Sequence, residues 1–325
     1  MKKIGIIEIH SKRYGGVVYT KQVKNALSRE FDLEQIDSDA KFFKNGRYFK
    51  FLESLYNLFR LKGEKDIWIR DFYSILSLSK KKTKGKNIAL IFHIDTLKLP
   101  LLGRIPIFLL EKFVFYRKLK KVDAIVTISE YWKNYFLKRG YKNVYKIYCG
   151  YDLNNFNVTE KEVSGFKKKY GLERKPIIYL GNCQKVKGVV DSYRALYDMD
   201  VYLVTSSRRQ ANVPTLNFDL DYRGYLRLLK ASSIVITMDK FNTGWILTAL
   251  EAMLCKTPVI GSGAGGTKEL YEGAGQIICG FKDLKEKVEY LLSNPEVREK
   301  MGEDGYNYSR HFTLERFQNE WINLI

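Results

Sequence analysis

A single carboxylate, Glu251, lies between two glycine-rich turns in the second half of the sequence. The first turn begins at Thr243 and Gly244, and the second reads Gly-Ser-Gly-Ala-Gly-Gly-Thr over 261–267. Glycine turns and helix N-termini present backbone N–H groups to phosphate, and a carboxylate can accept two ribose hydroxyls. Because the spacing fits neither a P-loop nor the dinucleotide fingerprint, it favours a nucleotide-sugar site. Glu251 lies on a helix predicted over 245–254, and the alternative is an ordinary salt-bridged acid on that helix.

Two lysines, Lys185 and Lys187, follow Gly181 in the stretch 179–188, where a predicted strand gives way to a helix. A lysine held over such a turn could neutralise the charge that develops on a departing diphosphate, and electrostatic stabilisation of this kind is often the largest catalytic contribution. The alternative is a pair of solvated lysines beside an ordinary turn. The spacing alone leaves both interpretations open.

The first half of the chain carries weaker candidates for ligand contact. Gly15 and Gly16 follow the first predicted strand and open a helix, so the backbone can approach a phosphate or a sugar closely. His93 ends a strand predicted over 88–93, at the edge of the sheet where α/β proteins bind ligands. The alternatives are a steric need for glycine and a structural histidine. His10 is a weaker candidate, and His311 is predicted to be structural.

The sequence predicts no metal site. Its cysteines show no close pairing and no ligand-like spacing with the three histidines, which favours buried, reduced side chains over a disulfide or zinc framework. These cysteines are Cys149, Cys183, Cys255 and Cys279.

The elements that must position these residues alternate between short apolar strands and helical stretches, in two successive blocks. Strands are predicted at 3–9, 31–36, 66–70, 88–93, 122–129 and 144–148, and then at 176–180, 201–205, 234–238, 258–262 and 276–279. Alternation of this kind predicts parallel sheets covered by helices on both faces. We therefore expect an α/β protein with two Rossmann-like, doubly wound domains facing a central cleft. The domains are predicted at 1–152 and 153–307, and a C-terminal helix at 308–325 could pack back on the first domain.

Positive charge is concentrated in the first half. Residues 1–150 hold 32 Lys and Arg against 14 Asp and Glu, a balance of +18, whereas the remainder holds 24 against 22. An excess of positive charge on one half of the chain indicates that this half binds an anionic partner. An anionic membrane surface, a nucleic acid and a phosphorylated acceptor all fit, with nucleic acid the less favoured of these. The alternative is the lysine-rich composition of a thermophile, with solvated charges.

Two basic segments, 41–62 and 105–121, interleave Phe, Tyr and Leu with lysines. Such helices can lie at a membrane surface, although most amphipathic helices in α/β domains simply cover the sheet. The run of lysines over 80–86 is expected to be a solvated loop. The charged N-terminus does not resemble a secretory signal and no apolar run is long enough to span a bilayer. The expected location is therefore cytoplasmic, with peripheral contact at the inner face of the membrane as a further possibility.

The segment from Thr243 to Leu270 also resembles the donor-binding signature of retaining glycosyltransferases of the GT-B fold, especially their family 4 (glycosyl transferases group 1). The stretches 250–258 and 265–270 match it closely. The stretch 222–237 resembles the helix and strand before that signature, and 122–130 and 150–152 resemble elements of the family's first domain. There are two departures. Asn182 stands where the family has an arginine, and Thr243, eight positions before Glu251, stands where it has its first acid.

The resemblance implies a role for each matching residue. Glu251 would hold the ribose hydroxyls, Lys187 would clamp the phosphates, and His93 would face the acceptor. Thr243 falls where the family's acid contacts the transferred sugar. Asn182 falls beside the phosphate clamp. Further donor contacts, largely through the backbone, are implied for Gly15, Gly16, Gly244, Trp245, Ile246, Leu247, Gly265, Gly266 and Thr267.

The activity implied by the resemblance is a metal-independent, configuration-retaining transfer of a hexosyl-type sugar. No cofactor is expected; the donor is itself a substrate, and a UDP- or GDP-sugar is favoured. The acceptor could be lipid-linked, a glycan, a protein or a nucleic acid. The departures at Asn182 and Thr243 leave a catalytically idle GT-B protein as one alternative, and the basic half leaves a nucleic-acid-binding or nucleic-acid-modifying protein as another.

Overall fold

The computed structural model of the chain describes residues 1–8, 15–42, 47–94 and 111–325. These residues form two units. Unit 1 consists of Met1–Gly150 together with Leu314–Ile325, and unit 2 of Tyr151–Thr313. None of the helices within the described ranges is both long enough and apolar enough to cross a membrane.

Unit 1 is built on a parallel sheet of six strands in the order β2-β1-β3-β4-β5-β6. The strands are β1 (Lys3–Glu8), β2 (Asp32–Asp37), β3 (Gly63–Arg70), β4 (Thr83–Leu90), β5 (Ala124–Thr127) and β6 (Val144–Lys146). The helices are α1 (Gly15–Leu27), α2 (Arg47–Arg60), α3 (Phe72–Leu76), α4 (Tyr116–Leu119, after a π-helical turn at Glu111–Phe115), α5 (Glu130–Leu137) and α13 (Leu314–Leu324).

The central strands of unit 1 are apolar on both faces. Ile4, Ile6 and Ile7 of β1 are all buried, and so are Ile67, Trp68 and Ile69 of β3. A parallel strand covered by helices on both sides needs continuous apolar sequence rather than alternation. Such continuous runs are what predicted these strands.

The lysine run over 80–86 is only partly the loop that we expected. Lys84, Gly85 and Lys86 belong to β4, which begins at Thr83. Gly85 has a φ of +116°, and a Cβ atom there would lie 1.8 Å from the carbonyl oxygen of Lys65. The backbone of β3 therefore approaches β4 too closely for any side chain at position 85. Because the lysines on either side of Gly85 are exposed, the composition of this stretch resembles a loop and did not predict a strand.

The C-terminal helix α13 packs on α1 within unit 1. Its buried rings Phe317 and Trp321 contact Tyr19 of α1 edge-on, with ring centroids 5.2 Å and 6.5 Å apart. The Tyr19 hydroxyl donates to the carbonyl of Ile147 at 2.8 Å and receives the Trp321 indole N–H at 3.3 Å. The last helix thus contributes to the core of the unit that the first 150 residues build.

Unit 2 holds a second parallel sheet, in the order β12-β11-β10-β7-β8-β9. The strands are β7 (Ile177–Asn182), β8 (Tyr202–Ser206), β9 (Leu216–Phe218), β10 (Ile234–Thr237), β11 (Val259–Gly261) and β12 (Ile277–Ile278). The helices are α6 (Glu160–Tyr170), α7 (Val189–Leu196), α8 (Tyr222–Ala231), α9 (Leu247–Leu254), α10 (Thr267–Gly273), α11 (Leu284–Ser293) and α12 (Pro295–Ser309).

Strand β9 is the one described strand that the sequence did not predict. It is a three-residue edge strand with Leu216 exposed and its other residues half-buried, and it follows a polar stretch. An edge strand of this length has too few residues to show a period. Strand β4 begins five residues before its predicted start at 88, and the other strands lie within about three residues of their predicted ends.

An ion-pair cluster fixes helix α8 against α6. Thr159 and Glu162 form a capping box at the start of α6, and the Glu162 carboxylate also accepts from the guanidinium groups of Arg223 and Arg227 on α8. These hydrogen bonds, first that from Thr159 and then those from the arginines, lower the pKa of Glu162 to about 2. Helix α8 is thereby held in place, and it carries two tyrosines of the site described next.

Candidate functional site

The predicted donor residues of unit 2 gather where its strand order changes direction. The chain runs outward from β7 through β8 to β9 on one side of the sheet, and then crosses back to β10, which pairs with β7 on the other side. In open α/β sheets, the crevice beyond the carboxyl ends at such a switch point binds ligands. Asn182 ends β7, and Asp239 lies two residues beyond the end of β10.

Lys187 reaches Asp239 at this point. Its Nζ atom lies 2.9 Å from Oδ2 of the aspartate, whose side chain is 2% exposed, while that of Lys187 is 31% exposed. Lys187 Nζ also lies 5.4 Å from the centre of the Phe241 ring. Lys185, in the same 3₁₀ turn, is exposed. The structure therefore separates two lysines that the sequence could not distinguish.

Gly188 allows this turn to fit beneath the lysine. It has a φ of +73°, and a Cβ atom at this position would lie 2.1 Å from the carbonyl oxygen of Met238. The turn therefore lies directly against the backbone that follows β10. No residue with a side chain fits at this position without displacing one of the two segments.

Thr243, at the position where the family pattern has an acid, contacts the second glycine turn. Its hydroxyl donates to the Ala264 carbonyl at 3.4 Å, and its own carbonyl accepts the Gly266 N–H at 2.9 Å. The hydroxyl of Thr267 donates to the same Ala264 carbonyl at 2.9 Å. Gly265 has a φ of +69°, and a Cβ atom there would lie 2.6 Å from the Thr243 carbonyl. The two glycine turns are thus directly joined.

The residues after Gly244 enter helix α9, which starts two residues later than the sequence indicated. Trp245 and Ile246 are buried and precede the helix, and Leu247 is its first residue. The indole N–H of Trp245 donates to the Glu269 carboxylate at 3.1 Å, and its ring lies edge-on to that of Phe312 at 4.9 Å. The Trp245 side chain therefore packs into unit 2.

Glu251 is a buried acid held by two tyrosines. It is 9% exposed, and its carboxylate accepts hydrogen bonds from the hydroxyls of Tyr225 at 3.0 Å and Tyr222 at 3.4 Å. Burial raises the pKa of Glu251 to about 7, and the two hydrogen bonds oppose that rise. The salt-bridged alternative is absent among the described contacts, since both partners are neutral phenols. A ligand hydroxyl could replace the longer of the two bonds.

Asn182 lies at the end of β7 with its amide oxygen 3.4 Å from the Ser206 hydroxyl. That hydroxyl is in turn 2.6 Å from the hydroxyl of Tyr179, which is fully buried. Gly181, with a φ of +78°, introduces an irregularity in the pairing with β8 just before Asn182. The polar side chains of Asn182, Ser206 and Tyr179 therefore form a row that runs from the switch point into the sheet.

In unit 1, Gly16 and His93 come from neighbouring positions at the carboxyl ends of the strands. A Cβ atom on Gly16 would lie 2.9 Å from the ring of Phe92, the residue before His93. Strand β4 ends at Leu90, so half-buried His93 lies three residues beyond the strand rather than at its last position. Gly15 begins α1 beside Gly16. His10 and the stretch 105–110 lie outside the described residues.

Within the residues described, no three His, Cys, Asp or Glu side chains gather as metal ligands would. Cys149, Cys183 and Cys255 are buried, and Cys279 is partly exposed.

Two partners of the site residues were missed in the sequence, Asp239 and Tyr225. Asp239 directly follows the strand that was predicted over 234–238, so its position was a usable signal. Tyr225 lies three residues after Tyr222, which places both on one side of a helix. That repeat was visible, but nothing in the sequence connected it with Glu251.

Residues 219–308, which contain Glu251 and both glycine turns, match the family model described as "Glycosyl transferases group 1". The chain is similar to that family over this stretch, the group 1 segment. The chain is 36% identical over 79 residues to an uncharacterised glycosyltransferase of Methanocaldococcus jannaschii, an alignment covering 23% of this chain and 22% of that protein. A trehalose synthase of Pyrococcus horikoshii is 31% identical over 99 residues, 30% of this chain and 24% of that protein. The aligned parts thus span about a quarter of these two relatives.

A longer alignment joins this chain to the N-acetyl-alpha-D-glucosaminyl L-malate synthase of Bacillus anthracis. The two are 24% identical over 275 residues, which cover 77% of this chain and 69% of that enzyme. The similarity therefore extends from the group 1 segment into unit 1.

Solved structures share the fold along the whole chain. Sucrose-phosphate synthase from Thermosynechococcus elongatus has a TM-score of 0.81 at 15% identity, with 100% of this chain and 98% of that chain covered. Anabaena HepE, solved in complex with UDP-glucose, has a TM-score of 0.77 at 12% identity, with 100% and 99% covered. These matches and the two parallel sheets confirm the predicted α/β fold with two Rossmann-like domains of the GT-B type. The resemblance to group 1 glycosyltransferases is confirmed as well.

Proposed function

We propose that the protein is a hexosyltransferase-type glycosyltransferase that takes a sugar from a nucleotide-sugar donor, with retention of configuration and without a metal ion. The observation that carries the proposal is the convergence at one sheet edge of Lys187, the two joined glycine turns and buried Glu251. This set of groups matches the parts of a nucleotide sugar: a diphosphate, and a ribose with two hydroxyls.

Each group has a separate task in this proposal. Glu251 accepts the ribose hydroxyls, one of which replaces Tyr222, whose bond of 3.4 Å is the longer of the two. Lys187 approaches the diphosphate while Asp239 fixes its direction. Backbone N–H groups around Gly244 and Gly265 contact sugar and phosphate. His93 is proposed to contact the acceptor.

The reaction breaks the bond between the anomeric carbon and the diphosphate oxygen, and the nucleoside diphosphate leaves with the bonding electrons. The acceptor hydroxyl oxygen forms the new bond on the same face of the sugar, and its proton passes to the oxygen of the departing diphosphate. Because negative charge accumulates on the departing diphosphate, the Lys187 ammonium stabilises the transition state more than the ground state. A lysine and backbone dipoles supply this positive charge without a metal ion.

A UDP-sugar is the favoured donor and a GDP-sugar the second choice. The UDP-glucose complex of HepE supports the first choice, because HepE and this chain share the fold. The proposed acceptor is a lipid-linked molecule, a glycan, a protein or a nucleic acid.

The proposal is tested by measuring binding of UDP-, GDP-, ADP- and dTDP-glucose calorimetrically, in the presence and absence of EDTA. We expect one uridine or guanosine sugar to bind, EDTA to have no effect, and Lys187→Ala to lower transfer by about 10² to 10³ while Lys185→Ala retains it. Retention is read from the anomeric proton signal of the product. Failure of all four nucleotide sugars to bind would contradict the donor site.

The catalytically idle alternative rests on a specific observation, the contact of Thr243 with the glycine turn where an acid would otherwise face the sugar. Binding of a nucleotide sugar without hydrolysis or transfer to any acceptor tested would favour it. Release of free nucleoside diphosphate that depends on Lys187 would exclude it.

A further inference from the structure

Helix α2 of unit 1 exposes a continuous row of large apolar side chains. Phe49, Leu52, Tyr56 and Phe59 are 54%, 41%, 58% and 44% exposed. Their spacing of three, four and three residues places them on one side of the helix. We call these four residues the α2 stripe.

The opposite side of the helix is anchored in unit 1. Ser54 and Leu58 are buried, and Leu55 packs against the core clusters around Ile75 and Trp68. The helix therefore already buries one apolar face. The α2 stripe is a second apolar face, and a helix that only covered its sheet would be polar on this side.

The one acid in the segment 41–62 is directed away from the surface. Glu53 is 8% exposed and accepts the backbone N–H groups of Lys41 and Phe42 at 2.7 Å and 2.9 Å. Phe42, held beside the helix in this way, is 87% exposed. The other charged residues of the segment are all Lys or Arg. Among the described residues of the segment, the exposed charges at Lys41, Lys50, Arg60 and Lys62 are all positive, and one of them, Lys41, pairs with Asp37 at 3.9 Å.

A second basic group adjoins the far end of the stripe. Lys82 donates from Nζ to the carbonyl of Phe59 at 2.9 Å, which attaches the exposed turn of Lys80, Lys81 and Lys82 to the last turn of α2. Lys80 pairs with Asp123 at 2.9 Å, a contact that neutralises one of the three. Positive charge is also crowded behind this turn: burial, and then the neighbouring Lys121, Arg70 and Lys82, lower the pKa of Lys118.

We propose that the α2 stripe and its basic rim dock on the surface of an anionic phospholipid bilayer. The apolar side chains would enter the boundary between headgroups and acyl chains, and the lysines would contact anionic headgroups. Charge complementarity selects this occupant. A second copy of this chain would bring an equally basic rim against the first, and like charges at an interface oppose association. A nucleic acid would require cations at the centre of the surface, where the structure has apolar side chains.

Vesicle co-sedimentation of the full chain tests the proposal, with phosphatidylcholine vesicles alone and with added phosphatidylglycerol. The test variant is Leu52→Gln/Tyr56→Gln/Phe59→Gln. The matched control is Tyr197→Gln/Tyr290→Gln/Val297→Gln, three apolar positions of unit 2 that are 65%, 48% and 39% exposed. Because all six positions are exposed, both variants should melt close to the wild type, and circular dichroism checks that they fold.

We expect the wild type and the control to bind phosphatidylglycerol vesicles and to bind pure phosphatidylcholine far more weakly. The stripe variant should lose at least about tenfold in partitioning while its affinity for a donor sugar stays unchanged. Lys81→Gln/Lys82→Gln should weaken binding several-fold and reduce its dependence on salt.

Several outcomes would overturn the proposal: no vesicle binding by the wild type, equal binding to neutral vesicles, or full binding by the stripe variant. A dimer in light scattering that dissociates in the stripe variant would assign the surface to a second copy instead. Stripe-dependent binding of RNA without vesicle binding would assign it to nucleic acid. Each readout is independent of glycosyl transfer.

Discussion

Lys187 and Asp239 form an ion pair of 2.9 Å at the switch point of the second sheet, with the acid almost wholly buried and the lysine about one-third exposed. The pair is therefore asymmetric: the acid is an anchor, and the ammonium is the part that a ligand can reach. In such pairs the loss of one partner leaves the other charge uncompensated, and a buried acid without its cation is the costlier case.

Lys187→Ala should lower turnover by about 10² to 10³ if the ammonium stabilises the departing diphosphate. Initial rates of transfer or donor hydrolysis measure this. Lys185→Ala is the matched control, because Lys185 lies in the same turn but is exposed. Equal losses in the two variants would remove the specific role of Lys187.

Asp239→Asn should lower kcat by about tenfold while leaving donor KM within a few-fold, because the ammonium stays present but loses its fixed direction. Steady-state kinetics separate the two constants. A merely structural role would instead reduce the active fraction, which a titration of active sites detects. A kcat of Asp239→Asn equal to that of the wild type would assign the pair to stability alone.

Glu251→Gln should flatten the dependence of stability on pH. The pKa of Glu251 rises on folding from 4.5 to about 7, so between these values the native state holds a proton that the unfolded chain has released. Stability therefore falls as pH rises through this window and levels off above about 7. The maximum loss is on the order of 3 kcal/mol. Urea unfolding at a series of pH values measures it, and a wild-type profile without this slope would contradict the buried, protonated acid.

Donor affinity should increase as pH rises through about 7, because ionised Glu251 is the better acceptor for ribose hydroxyls. Tyr225→Phe removes a hydrogen bond that favours the ionised form and should move the midpoint upward by about one pH unit. Calorimetric titration against pH gives the midpoint. Tyr271→Phe is the control, since Tyr271 is also a buried tyrosine but its hydroxyl contacts Thr237 at 2.6 Å. Identical midpoints in the two variants would separate Glu251 from donor binding.

Thr243→Glu should destabilise the protein by about 2 kcal/mol or more, although it restores the acid of the family pattern. Thr243 is 4% exposed, and its hydroxyl faces the Ala264 carbonyl. A carboxylate there would be buried against a carbonyl oxygen. Asn242→Glu, at the exposed preceding position, should change stability by less than about 0.5 kcal/mol. Thermal melts compare the two, and a Thr243→Glu variant as stable as the wild type would show that the position can accept the acid.

Three glycine substitutions should give three different results. Gly188→Ala combines a φ of +73° with a contact of 2.1 Å to the Met238 carbonyl and should cost about 3 kcal/mol or more. Gly171→Ala has a φ of +66° but open space, so it should cost only about 1 kcal/mol of strain.

Gly165→Ala, inside helix α6 with nothing near its Cβ position, should be neutral or stabilising by about 0.5 kcal/mol. Unfolding free energies rank the three. Equal costs at positions 188 and 171 would mean that the Met238 backbone yields, and that the turn under Lys187 is less constrained than its geometry indicates.

Most of the fold was predictable because the central strands of both sheets contain continuous apolar runs. Burial on two faces requires this pattern, and β1 and β7 have it. Composition did not predict strand structure where burial is incomplete. This applies to the exposed, lysine-containing start of β4 and to the short edge strand β9. The start of α9 was also misplaced, since Trp245 and Ile246 are apolar enough to continue the helical pattern but lie before its first residue.

The site was predictable to the extent that it depends on chain-local features. Glycine turns after strands, and an acid on the following helix, can be recognised from the sequence alone. The side chains that pair with Lys187 and Glu251 could not be predicted in this way. Asp239 lies 52 residues from Lys187, and Tyr225 lies 26 residues before Glu251, so only the sheet order and the packing of α8 on α9 bring them together. Whether a lysine is paired or solvated depends on such long-range contacts.

The attachment of α13 to unit 1 has a consequence for biosynthesis. Unit 2 is continuous in sequence, whereas the aromatic cluster of Tyr19, Phe317 and Trp321 joins residues about 300 positions apart. As the nascent chain leaves the ribosome, the first 150 residues emerge long before the helix that completes their core. Until α13 is synthesised, the side of α1 that carries Tyr19 has no helix to cover it. We therefore expect unit 1 to complete its folding only after the whole of unit 2 has been synthesised.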